Sequence, residues 1–272
     1  MSFDYTTVGH VSVDVMADGS RRAGGSAFYG ALQAARLGRR ALILTRGVPQ
    51  EIEPLLAPYR GELAFEVEPA PQTTTLTTTG IGHERAQRMV AWAGAIAAAP
   101  EVDTTILHLA PIARETGQRW RGHAGFVGLT PQGLLRTWTQ AESRIVLAPL
   151  ERSQLPERCD AAVFSRLERP YCEALLGGPT LVAVTDEADP TELLLPDGTH
   201  TRVGVPAVDR MRDDMGAGDV FAAAFFLALA DGEEPSVAAA FANAAAAIRI
   251  AGAGPDAVGD RAAIQARVAA AG

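Results

Sequence analysis

Short apolar runs rich in β-branched residues alternate with helical patterns along the chain. Residues 6–10 and 41–46 flank a helical pattern at 26–37, and similar runs follow at 105–109, 125–129, 144–148, 161–165 and 180–185. The later runs are mostly apolar on both faces, which suits strands of a parallel sheet covered by helices on either side. The pattern predicts an α/β fold, an open layered sandwich forming a single domain over 1–272.

Two stretches break the pattern. Residues 11–23 and 73–90 alternate polar and apolar positions, most plainly in Thr73-Thr74-Thr75-Leu76-Thr77-Thr78-Thr79, and read as antiparallel strands with one face in water. They are expected to form a small β flap beside the main sheet. Beyond Asp219 the pattern turns helical, with Ala-rich segments at 236–250 and 261–270 separated by Gly252-Ala253-Gly254-Pro255. That break superficially matches a dinucleotide-binding glycine pattern, but Pro255 stands where a helix should begin, so it reads as a helix stop.

Composition narrows the chemistry. A net charge of −8 with no dense basic block argues against a nucleic-acid partner. The chain opens without a basic segment and apolar stretch of leader type and holds no run of membrane-spanning length, so a cytoplasmic protein is expected. Cys159 and Cys172 lack metal or redox spacing and are expected to be buried free thiols. The five histidines show no metal motif. All 24 basic residues are arginine. Without lysine, P-loop, protein-kinase and Schiff-base mechanisms are unavailable. Phosphate chemistry in this chain must rest on arginine, metal ions and backbone amides.

One segment concentrates candidate chemistry. Asp213-Asp214-Met215-Gly216-Ala217-Gly218-Asp219 runs directly into an apolar helical stretch at 220–230. Small residues let successive N–H groups converge on an anion, and a helix N-terminus adds a favourable dipole. Asp219 then reads equally as a base beside that pocket or as an ordinary N-cap of the helix.

The segment resembles the D-T-x-G-A-G-D signature of the ribokinase-like (PfkB) family of carbohydrate and nucleoside kinases. Val8-Gly9-His10-Val11-Ser12-Val13-Asp14 resembles that family's opening strand with its substrate-binding aspartate. Ala23-Gly24-Gly25-Ser26 and Ala34-Ala35-Arg36-Leu37-Gly38 resemble its glycine pair and the succeeding helix. Ala242-Asn243-Ala244-Ala245-Ala246-Ala247 and Gly252-Ala253 resemble the helix and turn beside its nucleotide.

The resemblance implies a ribokinase-like three-layer α/β/α sandwich with a mainly parallel central sheet and a small β lid, through which a homodimer would form. It implies an ATP- and Mg²⁺-dependent kinase acting on a small-molecule acceptor. Asp219 would be the general base, and Gly216, Ala217 and Gly218 the anion hole. Asp14, Gly24, Gly25 and Ser26 would hold the acceptor. Arg85 on the lid would reach acceptor or phosphate, or else pair with Glu84 or solvent. Thr185, Gly218 and Asn243 would lie at the nucleotide, and Glu168 would act indirectly on magnesium through its waters. Asp213, with the Gly252-Ala253 turn, would serve a monovalent cation.

Five positions depart from the family pattern. Asp214 stands where threonine is usual, facing away or meeting Arg210 or Arg212; Ser165 replaces the asparagine of N-x-x-E in Ser165-Arg166-Leu167-Glu168. Thr185-Asp186-Glu187-Ala188-Asp189-Pro190 lacks both glycines of the nucleotide loop, and Tyr29 replaces an asparagine after the glycine pair. Segments 73–88, 107–112 and 129–136 resemble the inositol-kinase-like branch, which favours a polyol or sugar acceptor. A nucleoside kinase of the same fold is the alternative within the class. A catalytically weak sugar- or nucleotide-binding sensor is the alternative outside it, and an oxidoreductase is a distant third.

Overall fold

The computed structural model describes residues 2–80, 86–96, 99–139 and 141–271. The strands in chain order are β1 (Phe3–Val8), β2 (Ser12–Val15), β3 (Arg21–Gly24), β4 (Ala41–Gly47), β5 (Leu63–Pro69), β6 (Thr75–Thr79), β7 (Ala86–Ala91), β8 (Glu101–Leu109) and β9 (Arg121–Leu129). They continue with β10 (Arg136–Thr137), β11 (Val146–Leu147), β12 (Ala161–Ser165), β13 (Leu181–Asp186), β14 (Asp189–Leu194) and β15 (His200–Val203). The helices are α1 (Ser26–Arg36), α2 (Pro49–Leu56), α3 (Gln132–Leu135), α4 (Ala217–Ala230), α5 (Pro235–Ala251) and α6 (Arg261–Ala271).

Nine strands form the central sheet in the order β15-β14-β13-β12-β9-β8-β1-β4-β5. Pairing is parallel from β13 through to β5 and antiparallel only at β13–β14–β15. Among the parallel strands β1, β4, β12 and β13 are largely buried on both faces, as their apolar runs require. The longer helices pack on one face, where Phe28, Phe221, Phe225 and Phe226 join a single core. The opposite layer is thin. It is built by α3 with short 3₁₀ turns at Arg169–Tyr171 and Glu173–Leu175, which carry Leu134, Cys172 and Leu175 onto the sheet.

The expected flap exists as a separate four-stranded sheet, β3-β2-β6-β7. The expectation of purely antiparallel pairing is corrected: β2 runs parallel to β6, because the chain reaches β6 only after crossing β4 and β5. Residues 144–148 form no main-sheet strand. Within them only Val146–Leu147 pairs, with Arg136–Thr137 in a two-stranded ribbon. Cys172 is buried and Cys159 partly so, both as free thiols.

Helix α4 is apolar around its whole circumference and is buried from Val220 to Ala228. Its contacts are chiefly with α1 and α5. Burying each phenylalanine is worth roughly 2 kcal/mol, so the N-terminus of this helix is fixed by the centre of the core.

Candidate active site

The Asp213–Asp219 segment turns into α4 at Gly216, the N-cap, whose φ of 75° lies in the left-handed region. Asp219 therefore sits in the first turn of the helix and is not its N-cap. The first amides of a helix have no carbonyl to meet within it. Here the Ala217 amide donates to the Asp214 carbonyl at 3.3 Å and the Val220 amide returns to Gly216 at 2.9 Å. Gly218 and Asp219 lie between those two, in the first turn at the N-terminal end of the helix.

Two cavities meet at this point. The smaller, of about 100 Å³, is lined by Asp14, Ser26, Tyr29, Gln87, Arg136 and the 214–219 segment. The larger cleft, of about 410 Å³, runs over the ends of β12 and β13 past Ser165, Arg166, Glu168, Thr185 and Glu187. Gln132, Asp214, Gly218 and Asp219 line both. A carboxylate and a helix N-terminus thus stand between a small polar pocket and a long cleft.

In the smaller cavity Asp14 is 4 % exposed and its Oδ1 accepts from the Ser12 hydroxyl at 2.8 Å. The glycine pair serves this arrangement directly. A Cβ on Gly24 would lie 2.0 Å from Asp14 Oδ2, and one on Gly25, at φ 99°, would lie 2.2 Å from the His10 carbonyl oxygen. Gly24 therefore makes room for Asp14 and does not itself line the cavity. Ser26 Oγ is buried and makes no hydrogen bond, a polar atom presented to whatever fills the pocket.

Arg136 is 7 % exposed and donates to the Ile112 carbonyl at 3.0 Å and to Gln87 Oε1 at 2.7 Å. Gln87 in turn donates to Thr78 Oγ1 at 3.1 Å, tying the guanidinium to strands β6 and β7 of the small sheet. Burial lowers the affinity of Arg136 for its proton, while Glu168, Asp219, Asp14 and Glu115 oppose that effect. The sequence offered Arg136 only as the end of a segment resemblance. Its placement depends on the β10–β11 ribbon, which carries no local signal.

In the larger cleft Glu168 Oε2 accepts from the Ser165 amide at 2.8 Å and the Ser165 hydroxyl at 2.9 Å. Serine thereby holds the glutamate where the resemblance led one to expect asparagine. Glu187 takes φ 49° in the tight turn joining β13 to β14, so the loop that lost its glycines is a short hairpin. Asp214 does not face away but lines both cavities. Arg166 pairs with Asp186 at 2.9 Å.

Two expected site residues line neither cavity. Asn243 is 3 % exposed on α5 and lines neither cavity. Its carbonyl accepts from Thr191 at 2.8 Å and its amide donates to the carbonyls of Gly204 at 3.1 Å and Val203 at 3.4 Å, so the side chain joins α5 to β14 and the end of β15. Asp213 lies behind the segment, where its carboxylate accepts from the Met215 and Gly254 amides and from Arg249. Arg85 lies outside the described residues.

The residues of the larger cleft have the donor chemistry of a divalent-cation site, whereas the Asp213 carboxylate is already engaged. Glu168, Asp186, Glu187, Asp214 and Asp219 give the larger cleft an excess of hard oxygen donors over its single arginine. A polyphosphate can share such a cleft only with a neutralising cation, and magnesium is usually held by one or two carboxylates with phosphate and water. No cluster of His, Cys, Asp and Glu among the described residues forms a cage on its own. At Asp213, by contrast, both carboxylate oxygens are occupied by donors, and a guanidinium already stands there.

Comparison with known proteins identifies the fold. Residues 170–259 match the pattern of the pfkB family carbohydrate kinases. No curated protein matches the chain significantly. Among solved structures, a pyrophosphate-dependent kinase of the ribokinase family bound to a pyrophosphate analogue and myo-inositol superposes with a TM-score of 0.74, at 18% identity over 92% of this chain and 96% of that one. Arabidopsis thaliana ribokinase with ribose and ATP gives 0.73, at 17% identity over 98% and 99%. A nucleoside kinase from Methanocaldococcus jannaschii gives 0.72, at 15% identity over 99% of each chain. No helix among the described residues is long and apolar enough to cross a membrane. This chain is thus a ribokinase-fold protein whose residues 170–259 carry the pfkB carbohydrate-kinase pattern.

Proposed function

We propose that the protein is a phosphotransferase that moves a terminal phosphoryl group from a magnesium-bound phosphoanhydride to a hydroxyl of a small polyol or sugar. The observation that carries this reading is the position of Asp219 and Gly218 on the wall shared by two cavities. An acceptor in the smaller cavity and a donor in the larger would meet at that wall.

The acceptor hydroxyl would be held among Asp14, Ser26 and Arg136. Asp219 takes its proton as the oxygen attacks phosphorus. The phosphorus–oxygen bond to the leaving phosphate breaks, and the electron pair departs on that oxygen. Amides at the start of α4 face the charge on the phosphoryl oxygens during transfer. Magnesium, bound through Glu168 and neighbouring carboxylates, would neutralise the donor phosphates. The lid sheet, held to Arg136 through Gln87, would keep water from competing with the acceptor.

The small size of the acceptor cavity favours a polyol or sugar over a nucleoside. The donor is ATP in the Arabidopsis structure and pyrophosphate in the inositol-bound relative. ATP is the donor proposed here, with pyrophosphate the second reading, favoured by the engaged Asn243 and the short β13–β14 hairpin. Pairing of two copies would use the lid, whose outer strand β7 exposes Val90.

The test is a panel of polyols, sugars and nucleosides assayed for phosphorylated product with ATP or pyrophosphate and magnesium. Phosphorylation of a polyol or sugar supports the reading. Ligand binding by calorimetry without product across the panel would instead identify a binding protein.

A further inference from the structure

Arg249 is the largest fully buried side chain among the described residues, at 0% exposure in the last turn of α5. Burying a guanidinium is costly unless it is paired. Its partner is Asp213, which opens the signature segment: Nη2 donates to Oδ2 at 2.9 Å and Nη1 to the main-chain carbonyl at 3.4 Å. The same Oδ2 accepts from the Gly254 amide at 2.9 Å, and Oδ1 accepts from the Met215 amide at 3.0 Å. The guanidinium carbon also stands 5.3 Å from the centre of the Tyr29 ring. That ring fills the space beside Gly216, where a Cβ would approach it to 2.3 Å.

These contacts form one structure. A fixed positive charge neutralises Asp213, Asp213 holds the amides of Met215 and of Gly254 in the turn after α5, and Tyr29 packs against the residue that opens α4. A bound monovalent cation at Asp213 would have to displace two amide donors and tolerate a neighbouring guanidinium. Like charges at contact distance repel strongly where water screens them only in part.

We infer that Arg249 takes the place of a monovalent cation at Asp213, so that the loop carrying Gly216, Gly218 and Asp219 is held in its working form independently of potassium or sodium. The consequence for catalysis rests on the kinase reading above; the structural consequence does not. The sequence marks Tyr29 only as a replacement for asparagine and Arg249 not at all, because they meet Gly216 and Asp213 only in the folded chain.

The experiment compares the wild-type protein with Arg249→Met and Arg249→Lys in potassium chloride and in tetramethylammonium chloride at equal ionic strength. Melting midpoint is read first, then turnover with the acceptor found by the panel. The wild type should show the same midpoint in both salts and turnover unchanged within about twofold, because a ligand that binds only the native state would raise its stability. Arg249→Met should melt lower, and potassium should restore part of both midpoint and turnover. Arg249→Lys, which keeps a charge, should remain indifferent to the salt.

Potassium raising the wild-type midpoint or turnover several-fold would overturn the inference, as would an Arg249→Met protein indifferent to potassium. If Arg249→Met fails to fold in either salt, Arg249→Gln carries the same comparison. If no acceptor is phosphorylated, the kinase reading fails while the melting data still decide the role of Arg249.

Discussion

Tyr29 occupies the space that a side chain on Gly216 would need. A Cβ at Gly216 would lie 2.3 Å from the tyrosine ring, and Gly216 itself has φ 75°. Gly216→Ala therefore meets both a left-handed backbone and a filled volume, a combined cost of about 1–3 kcal/mol. The expected outcome is a lower melting midpoint together with reduced turnover. Trimming the ring in Gly216→Ala/Tyr29→Leu should recover some stability if the clash dominates; no recovery would locate the cost in the backbone.

Asp219→Asn keeps the shape of the first turn of α4 while removing the proposed base. Turnover should fall by about two to four powers of ten, the usual contribution of general-base catalysis. The melting midpoint should stay near that of the wild type, since Asp219 is neither the N-cap nor part of the buried core. Near-normal turnover would remove Asp219 from the mechanism.

Arg136→Lys preserves a charge but cannot span the Ile112 carbonyl and Gln87 together as the planar guanidinium does. Steady-state kinetics should show kcat/KM for the acceptor reduced by roughly ten- to a hundredfold, the worth of a charged hydrogen bond or two. Gln87→Leu cuts only the link to the lid and should cost less. Equal losses in the two variants would mean that Arg136 acts solely by holding the lid.

His108 supplies a pH signature of the fold. It is fully buried between Tyr5, at 3.0 Å on Nδ1, and Thr130, at 3.0 Å on Nε2, and burial lowers its pKa from 6.5 to about 3. Below pH 6.5 the unfolded chain takes up a proton that the folded one refuses, so this group's stability contribution is full above that value and declines as pH falls towards 3. Urea midpoints should therefore drop between pH 7 and pH 5, and less steeply in His108→Gln. Parallel slopes in the two proteins would show that His108 does not govern the decline.

The sequence was legible where local pattern and tertiary role coincide. Strands such as β12 and β13 are continuous apolar runs because both their faces are covered, and α4 announces itself by small residues followed by an unbroken apolar stretch. Legibility failed where a residue's partner is distant. Arg249 looks like an ordinary polar position in an Ala-rich helix, yet it pairs with Asp213, 36 positions earlier. Asn243 matched a nucleotide-side motif, but Thr191 and two main-chain carbonyls claim its amide. Strand β5 is the edge of the sheet and carries Glu66 and Glu68, and β14 with β15 is a polar hairpin at the other edge; neither has the run of apolar residues that identifies a central strand.

Helix α4 divides the labour of motion within the site. Because it is packed on every side by the main core, the wall bearing Gly218 and Asp219 has little freedom to shift without disturbing α1 and α5. The lid sheet rests instead on a small apolar cluster containing Leu76, Met89, Ile112 and Ala113. On the function proposed above, substrate entry and product departure would fall to the lid; amide hydrogen exchange should run faster in β6 and β7 than in α4, with ligand slowing the former and leaving the latter unchanged.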